Sequence, residues 1–179
     1  MEPQRASSFI TNRPLITIRH ISAENTYALR QAVLWPNKPL SYVQLPDDLD
    51  GQHFGAYVIV DAASSSNNKG DDVSDGINRD EEDARSPEEL VSIISLFVDG
   101  ESGAARFRKF ATAPAWQGKG VGSALLTYTI EVAARKGATS IWCDARQGAL
   151  GFYQRFVCPE PCPEIRGWSI HLVDRMVGL

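Results

Sequence analysis

Cysteine is scarce in this chain: Cys143, Cys158 and Cys162 are the three among 179 residues. An odd count cannot close a complete disulfide framework, so reduced thiols are expected. A zinc site is not expected either. Zinc takes four ligands, usually in closely spaced pairs, and beyond Cys158 and Cys162 only Cys143 and three histidines remain, with no second pair. Long apolar runs are missing. No stretch approaches the roughly 18 residues of a membrane helix. Met1–Arg5 leads into further polar sequence without the apolar segment of a secretion signal. The expectation is a cytoplasmic protein, with the nucleus left open, that does not engage membranes. Basic charge is not in excess: 18 Lys and Arg stand against 22 Asp and Glu, a net charge of -4. Proteins that live on nucleic acid carry a basic face, so nucleic acid is not an expected partner. No internal repeat is visible, and the length is that of a single domain.

The charge is unevenly placed. Residues 62–88 hold eight acidic and three basic side chains, which leaves the rest of the chain at +1. Val73 and Ile77 are the large apolar residues of that stretch, too few to offset the entropy of ordering it. We expect a polar tail over 1–14 and one domain over 15–179, carrying a disordered acidic insertion at 62–88. The insertion is either a tolerated loop or a regulatory segment with Ser64, Ser65, Ser66, Ser74 and Ser86 as phosphorylation sites.

Around the insertion, β-branched and alternating runs predict strands at Leu15–His20, His53–Val60, Leu90–Val98 and Ala104–Thr112. The last three form an antiparallel meander. Ser22 can cap a helix from about Ala23 to Leu34, which Pro36 ends. A short helix near Pro46–Asp50 interrupts the loop that follows. Val121, Ala124, Leu125, Tyr128 and Val132 lie on one face of a helix over Val121–Arg135, stopped by Gly137. A strand at Thr139–Cys143, a helix over Ala145–Phe156 and a strand at Trp168–Val173 complete a β-α-β-β-β-α-β-α-β order.

The chemistry concentrates at Gln117-Gly118-Lys119-Gly120-Val121-Gly122-Ser123, where a strand and turn lead through glycines into the strongest helix. The first N–H groups of a helix lack intrahelical partners and carry the positive end of the macrodipole. Glycine lets backbone approach a ligand closely, so a diphosphate fits there. The spacing is not the GxxxxGK[ST] of a P-loop. It also lacks the third glycine and the parallel strand series of a dinucleotide fold. A glycine turn without ligand stays open as the alternative.

Residues 117–122 resemble the [QR]xxGx[GA] loop of the GNAT N-acetyltransferase family. Phe110-Ala111-Thr112-Ala113-Pro114 is similar to the end of that family's fourth strand, and Ala149-Leu150-Gly151-Phe152-Tyr153 to its Axx[FL]Y helix. The resemblance runs in element order from about residue 15 to 157. It implies an α/β (α+β) fold: a mostly antiparallel mixed sheet of six to seven strands flanked by about four helices. Acetyl-CoA, as cosubstrate, would enter a V-shaped split between strands 4 and 5. Its pyrophosphate would meet Gln117, Gly118, Lys119, Gly120, Val121, Gly122 and Ser123. Its pantetheine arm would pair with Phe110, Ala111 and Thr112, and Arg146 and Phe152 would add contacts. Tyr153 matches the tyrosine that stabilises and reprotonates the departing thiolate, with core packing and a satisfied hydroxyl as its alternative. The acceptor would be a primary amine of a small molecule or peptide, and the protein a monomer or homodimer.

Three positions depart from the family pattern. Arg106, with Arg108 on the same face, stands where a strand-4 glutamate is common, which either hints at an acceptor with a negative group or leaves two arginines that are solvated or paired structurally. Arg146 replaces an asparagine seven residues before Tyr153, and Val157-Cys158 follows the helix where Gly-Phe is usual. Asp144 is a candidate base or ligand of the acceptor amine, with helix capping as its alternative. His53 is a second candidate base or a surface residue. Trp35, Tyr42 and the Asp47-Asp48-Leu49-Asp50 cluster lie where this family builds its acceptor pocket, and the acidic side chains either attract an amine or are solvated. Two functions remain: an acetyl-CoA-dependent N-acetyltransferase, and a catalytically degenerate fold that binds CoA or a protein partner.

Overall fold

The computed structural model describes residues 14–59, 87–145, 147–156 and 169–173. Residues 1–13 of the expected tail, most of the acidic insertion, Arg146, Cys158 and Cys162 therefore lie outside the described residues.

Six strands form one sheet in chain order. β1 (Ile16–Ile21), β2 (Gln52–Ile59), β3 (Glu88–Asp99) and β4 (Ala104–Thr112) pair antiparallel in succession. β5 (Ser140–Asp144) runs parallel to β4, and β6 (Ser169–Val173) parallel to β5. A parallel neighbour requires a crossover, and between β4 and β5 that crossover is the 15-residue α3 (Val121–Arg135). The other helices are short: α1 (Ala23–Leu29), α2 (Leu40–Val43) and α4 (Leu150–Tyr153). Glu88, placed in the insertion by composition, opens β3 instead.

Both faces of the sheet are covered, which is why β3 is buried continuously from Val91 to Leu96 instead of alternating. On one face α3 packs Leu125, Leu126, Ile130 and Ala133 against Phe54, Val58, Ile94 and Phe107. On the other, α1 and the turn after it set Leu29, Val33 and Leu34 over Ile21, Ile93 and Ala111. Helical periodicity located α3, but the buried stripe is rotated from the expected one. Leu126, Thr129, Ile130 and Ala133 are inside, while Ala124, Tyr128 and Val132 are partly covered. Thr129 enters the core because its hydroxyl donates to the Leu125 carbonyl at 2.8 Å.

Two further helices differ from expectation. The first changes from α to π geometry over Arg30–Leu34, which turns Arg30 fully inward. Ser22 starts it without a backbone cap, its hydroxyl donating to Asn25 Oδ1 instead. The helix expected over Ala145–Phe156 is a 3-10 turn at Gln147–Ala149 followed by the single turn α4. Gly148 and Gly151 give such a segment little helical propensity. The expected short helix near Pro46–Asp50 is a 3-10 turn at Asp48–Asp50, and α2 was not anticipated.

Candidate active site

β4 and β5 separate early. Their pairing covers Ala104↔Ser140, Ala105↔Ile141 and Arg106↔Trp142 and then stops, although β4 continues to Thr112. From Phe107 onward the β5 side of β4 has no strand partner among the described residues. A bulge lies inside this stretch. Between Ile93↔Ala111 and Ser95↔Arg108, β4 advances three residues while β3 advances two. Lys109 there has a φ of 52°, in the left-handed region that residues other than Gly and Asn seldom occupy. A bulge breaks alternation, and Arg108 and Lys109 consequently both reach toward the α1–α2 side, to Asp47 and Trp35 respectively.

On the α3 side, the loop from β4 reaches the helix through two left-handed glycines, Gly118 at φ 73° and Gly120 at φ 84°. No side chain caps α3, so the amides of Val121, Gly122 and Ser123 have no intrahelical acceptor. Gly122 serves a different purpose. A Cβ there would lie 3.1 Å from Thr112 Oγ1 and 3.2 Å from Phe110 Cζ, so its absence lets the helix start press onto the end of β4. Gln117 donates from Nε2 to the Thr112 carbonyl at 3.0 Å, which ties the loop to the strand. Lys119 lies over the Trp116 ring at 4.7 Å.

Aromatic rings line the same side of the split. Tyr153 is buried and packs against Phe107, Phe110 and Phe152, with centroid separations of 5.7, 6.4 and 5.2 Å. Phe152 also contacts Phe110 and Phe156. The structure thus brings Phe110, Thr112, Gly122, Phe152 and Tyr153 together from β4, α3 and α4.

The opposite face is built from ion pairs. Arg106 crosses the split to Asp144 and lies over the Trp142 ring at 4.4 Å. Arg108 pairs with Asp47. Arg106 Nε and Asp144 Oδ1 are buried and have no hydrogen-bond partner among the described residues. Asp144 therefore enters the site as half of an ion pair, and of the two readings of Arg106 and Arg108 the structure shows the structural pairing.

The acidic cluster is recast in the same way. Asp48 is buried and accepts from Arg30 Nη1 and Nη2, each at 2.8 Å. Arg30 also donates to the Val43 carbonyl at 3.0 Å and to Ser95 Oγ at 2.9 Å. His53 is likewise buried, neither surface residue nor available base. Its Nε2–H donates to the Asp48 carbonyl at 2.8 Å, so Nδ1 accepts from the Ser95 hydroxyl at 2.9 Å. Among these acidic side chains, Asp50 is exposed. Trp35 and Tyr42 do meet, edge to face at 5.7 Å.

Sequence reading missed Arg30 and Lys109. A mid-helix arginine and a strand lysine look solvated, and only the π turn and the bulge reveal otherwise. Lys109 is half-buried, and its pKa falls to about 8 through burial first and then the charges of Arg108 and Arg30, against the pull of Asp47. Cys143 moves the other way: burial, helped by Asp144, pushes its thiol up to about 12. Thiolate is the reactive form. Iodoacetamide at about pH 8 is therefore expected to leave Cys143 unlabelled in the native protein and to label it once unfolded. Peptide mapping of the two samples checks this, and rapid native labelling would contradict the burial.

Comparison with known proteins agrees with this geometry. The model of the acetyltransferase (GNAT) family matches residues 36–157. An uncharacterized N-acetyltransferase of Bacillus subtilis, YitI, is 23% identical over 146 residues, covering 79% of this chain and 80% of that protein. A provisionally assigned N-acetyltransferase from Lactobacillus plantarum superimposes with a TM-score of 0.56 at 20% identity, over 86% of this chain and 92% of that one. Escherichia coli ElaA gives 0.53 at 19% identity, over 80% and 86%.

Proposed function

This chain belongs to the GNAT family of acetyltransferases, and on that premise we propose that it moves an acetyl group from acetyl-CoA directly to a primary amine of a small molecule or peptide. The observation that carries the reading is one juxtaposition. The open amide end of α3, the partnerless edge of β4 and the Tyr153 ring lie side by side at the split between β4 and β5.

Each part has a task. The amides of Val121, Gly122 and Ser123, approached through Gly118 and Gly120, donate to the pyrophosphate of acetyl-CoA at the positive end of the helix. The backbone of Phe110, Ala111 and Thr112 pairs with the pantetheine arm as a strand would. Phe110 and Phe152 supply its apolar wall. The acceptor amine enters from the Trp35, Tyr42 and Trp142 side. Its nitrogen attacks the thioester carbonyl, a C–N bond forms, the C–S bond breaks, and Tyr153 donates its phenolic proton to the departing thiolate. A phenol with an ordinary pKa of about 10 still holds that proton at neutral pH. With Asp144 and Asp47 paired to arginines and His53 committed to Ser95 and Asp48, solvent takes the proton lost by the amine and returns one to the Tyr153 phenolate.

Tyr153→Phe tests the chemistry. It keeps the ring packing and removes only the hydroxyl, so acetyl-CoA affinity should hold while kcat falls by about a hundredfold, the usual worth of a positioned acid. An unchanged kcat would remove Tyr153 from the reaction. Calorimetric titration with acetyl-CoA, with NADH and ATP as controls, tests the cosubstrate. Binding without thioester cleavage by any amine would instead favour a CoA-binding module.

A further inference from the structure

The acceptor side of the split has a charge pattern that chain order hides. Each guanidinium there holds a carboxylate: Arg106 with Asp144, Arg108 with Asp47, Arg30 with Asp48. Lys109 holds none among the described residues, and its ammonium rests 4.3 Å over the centroid of the Trp35 ring. Its position is also costly in conformation. A φ of 52° suits glycine or asparagine, yet a lysine occupies it, and the bulge aims that lysine at the acceptor side instead of the α3 side. Burial above all, with the nearby Arg108 and Arg30 charges adding to it, depresses its pKa to about 8, and a bound anion would favour the charged form.

Resting on the acetyl-transfer reading above, we propose that the acceptor is a small amine that also carries a carboxylate, and that Lys109 binds this carboxylate. The Trp35 and Trp142 faces flank the lysine and the Arg106–Asp144 pair, and they receive the hydrocarbon part between amine and carboxylate. A polyamine or strongly basic peptide meets an unmatched cation here, and Asp47 and Asp48 are spent on Arg108 and Arg30, so that Asp50 is the exposed carboxylate left in that cluster.

The experiment compares matched amines with and without the carboxylate, phenylalanine against phenethylamine and tryptophan against tryptamine, with spermidine added. CoA thiol release by the purified protein is followed. The carboxylated member of each pair should have a KM lower by about tenfold or more, the usual worth of a charge-assisted hydrogen bond. Lys109→Asn should raise that KM by a similar factor, leave kcat nearly unchanged, and leave the carboxylate-free twin unaffected. Asparagine tolerates the left-handed backbone, so this variant should fold, which thermal unfolding confirms. Lys109→Arg keeps the charge and should restore the preference. Equal use of both twins, a preference for spermidine, or an Asn variant that discriminates as the parent does would each overturn the proposal. So would acetyl-CoA binding with no turnover of any carboxylated amine. Turnover of carboxylate-free amines alone sinks this inference and spares the transfer reading, whereas failure to bind acetyl-CoA sinks the transfer reading itself.

Discussion

A Gly120→Glu protein should fold and yet bind acetyl-CoA at least about a hundredfold more weakly, the equivalent of two lost charge-assisted hydrogen bonds. Two effects act together. Gly120 has a φ of 84°, and a side chain in left-handed geometry costs about 1–2 kcal/mol. Space is not the difficulty, because nothing lies within 4 Å of the Cβ that would be added. The larger effect is electrostatic. A carboxylate at the N-cap of α3 can itself accept from the open amides and profit from the helix dipole. It would occupy the donors meant for a diphosphate and repel that diphosphate as well. Gly120→Ala carries the strain without the charge and should lose much less affinity. Calorimetric titration of the three proteins separates the contributions. Undiminished affinity in a folded glutamate variant would reject the helix start as the pyrophosphate site.

The second large effect concerns a pair remote from the motifs. Asp48→Leu should destabilise the protein by about 3–5 kcal/mol, because it leaves a buried charge without a partner. Arg30 is fully buried, and its Nε already has no hydrogen-bond partner among the described residues. That loss is a large part of the roughly 5–15 kcal/mol that holds a typical domain. Adding Arg30→Met to the same chain should recover most of it, since an apolar pair of similar size avoids desolvating two ions. Urea denaturation of the single and double variants reads both numbers. If the single variant loses under about 1 kcal/mol, as an exposed pair would, the pair does not anchor the loop bearing Asp47 and Asp48.

The same pair sets a pH dependence. Burial alone would raise the Asp48 pKa, but the Arg30 hydrogen bonds, the Leu45 amide and the Arg30 charge outweigh it and hold it below the ordinary value. A depressed folded pKa means that the unfolded chain takes up the proton first. The stabilisation is therefore complete above the unfolded value of about 3.9 and is lost as pH falls through the lower folded one. The urea midpoint of the parent should drop over that acidic range, and the drop should shrink in the double variant.

These two predictions draw on different levels of organisation. The glycine loop, the strand meander and α3 were legible because local rules govern them. Glycine alone takes left-handed turns cheaply, β-branched residues favour strands, and a 3.6-residue period marks a helix face. Ala104–Thr112 and Val121–Arg135 were accordingly located to the residue. The motif residues Phe110, Thr112, Gly122, Phe152 and Tyr153 were likewise named in advance, and they do lie together.

What no local rule decided was the state of the charged groups. Arg106 and Asp144 are 38 residues apart, Arg108 and Asp47 are 61 apart, and Arg30 and Ser95 are 65 apart. Such distances close only when the strands are in register and the helices are docked. Two aspartates of an acidic cluster that sequence left as bait for an amine or as a solvated loop became halves of structural ion pairs, and a histidine that looked exposed became a buried link. A strand lysine became the unmatched cation of the acceptor side because one bulge broke the alternation of β4. Sequence by itself determined most of the scaffold, since propensity and periodicity act between near neighbours, and its motifs at 110–114, 117–122 and 149–153 carried the resemblance to the family. The tertiary structure decided which charges remain free to meet a substrate, since pairing and burial depend on residues that the chain keeps far apart.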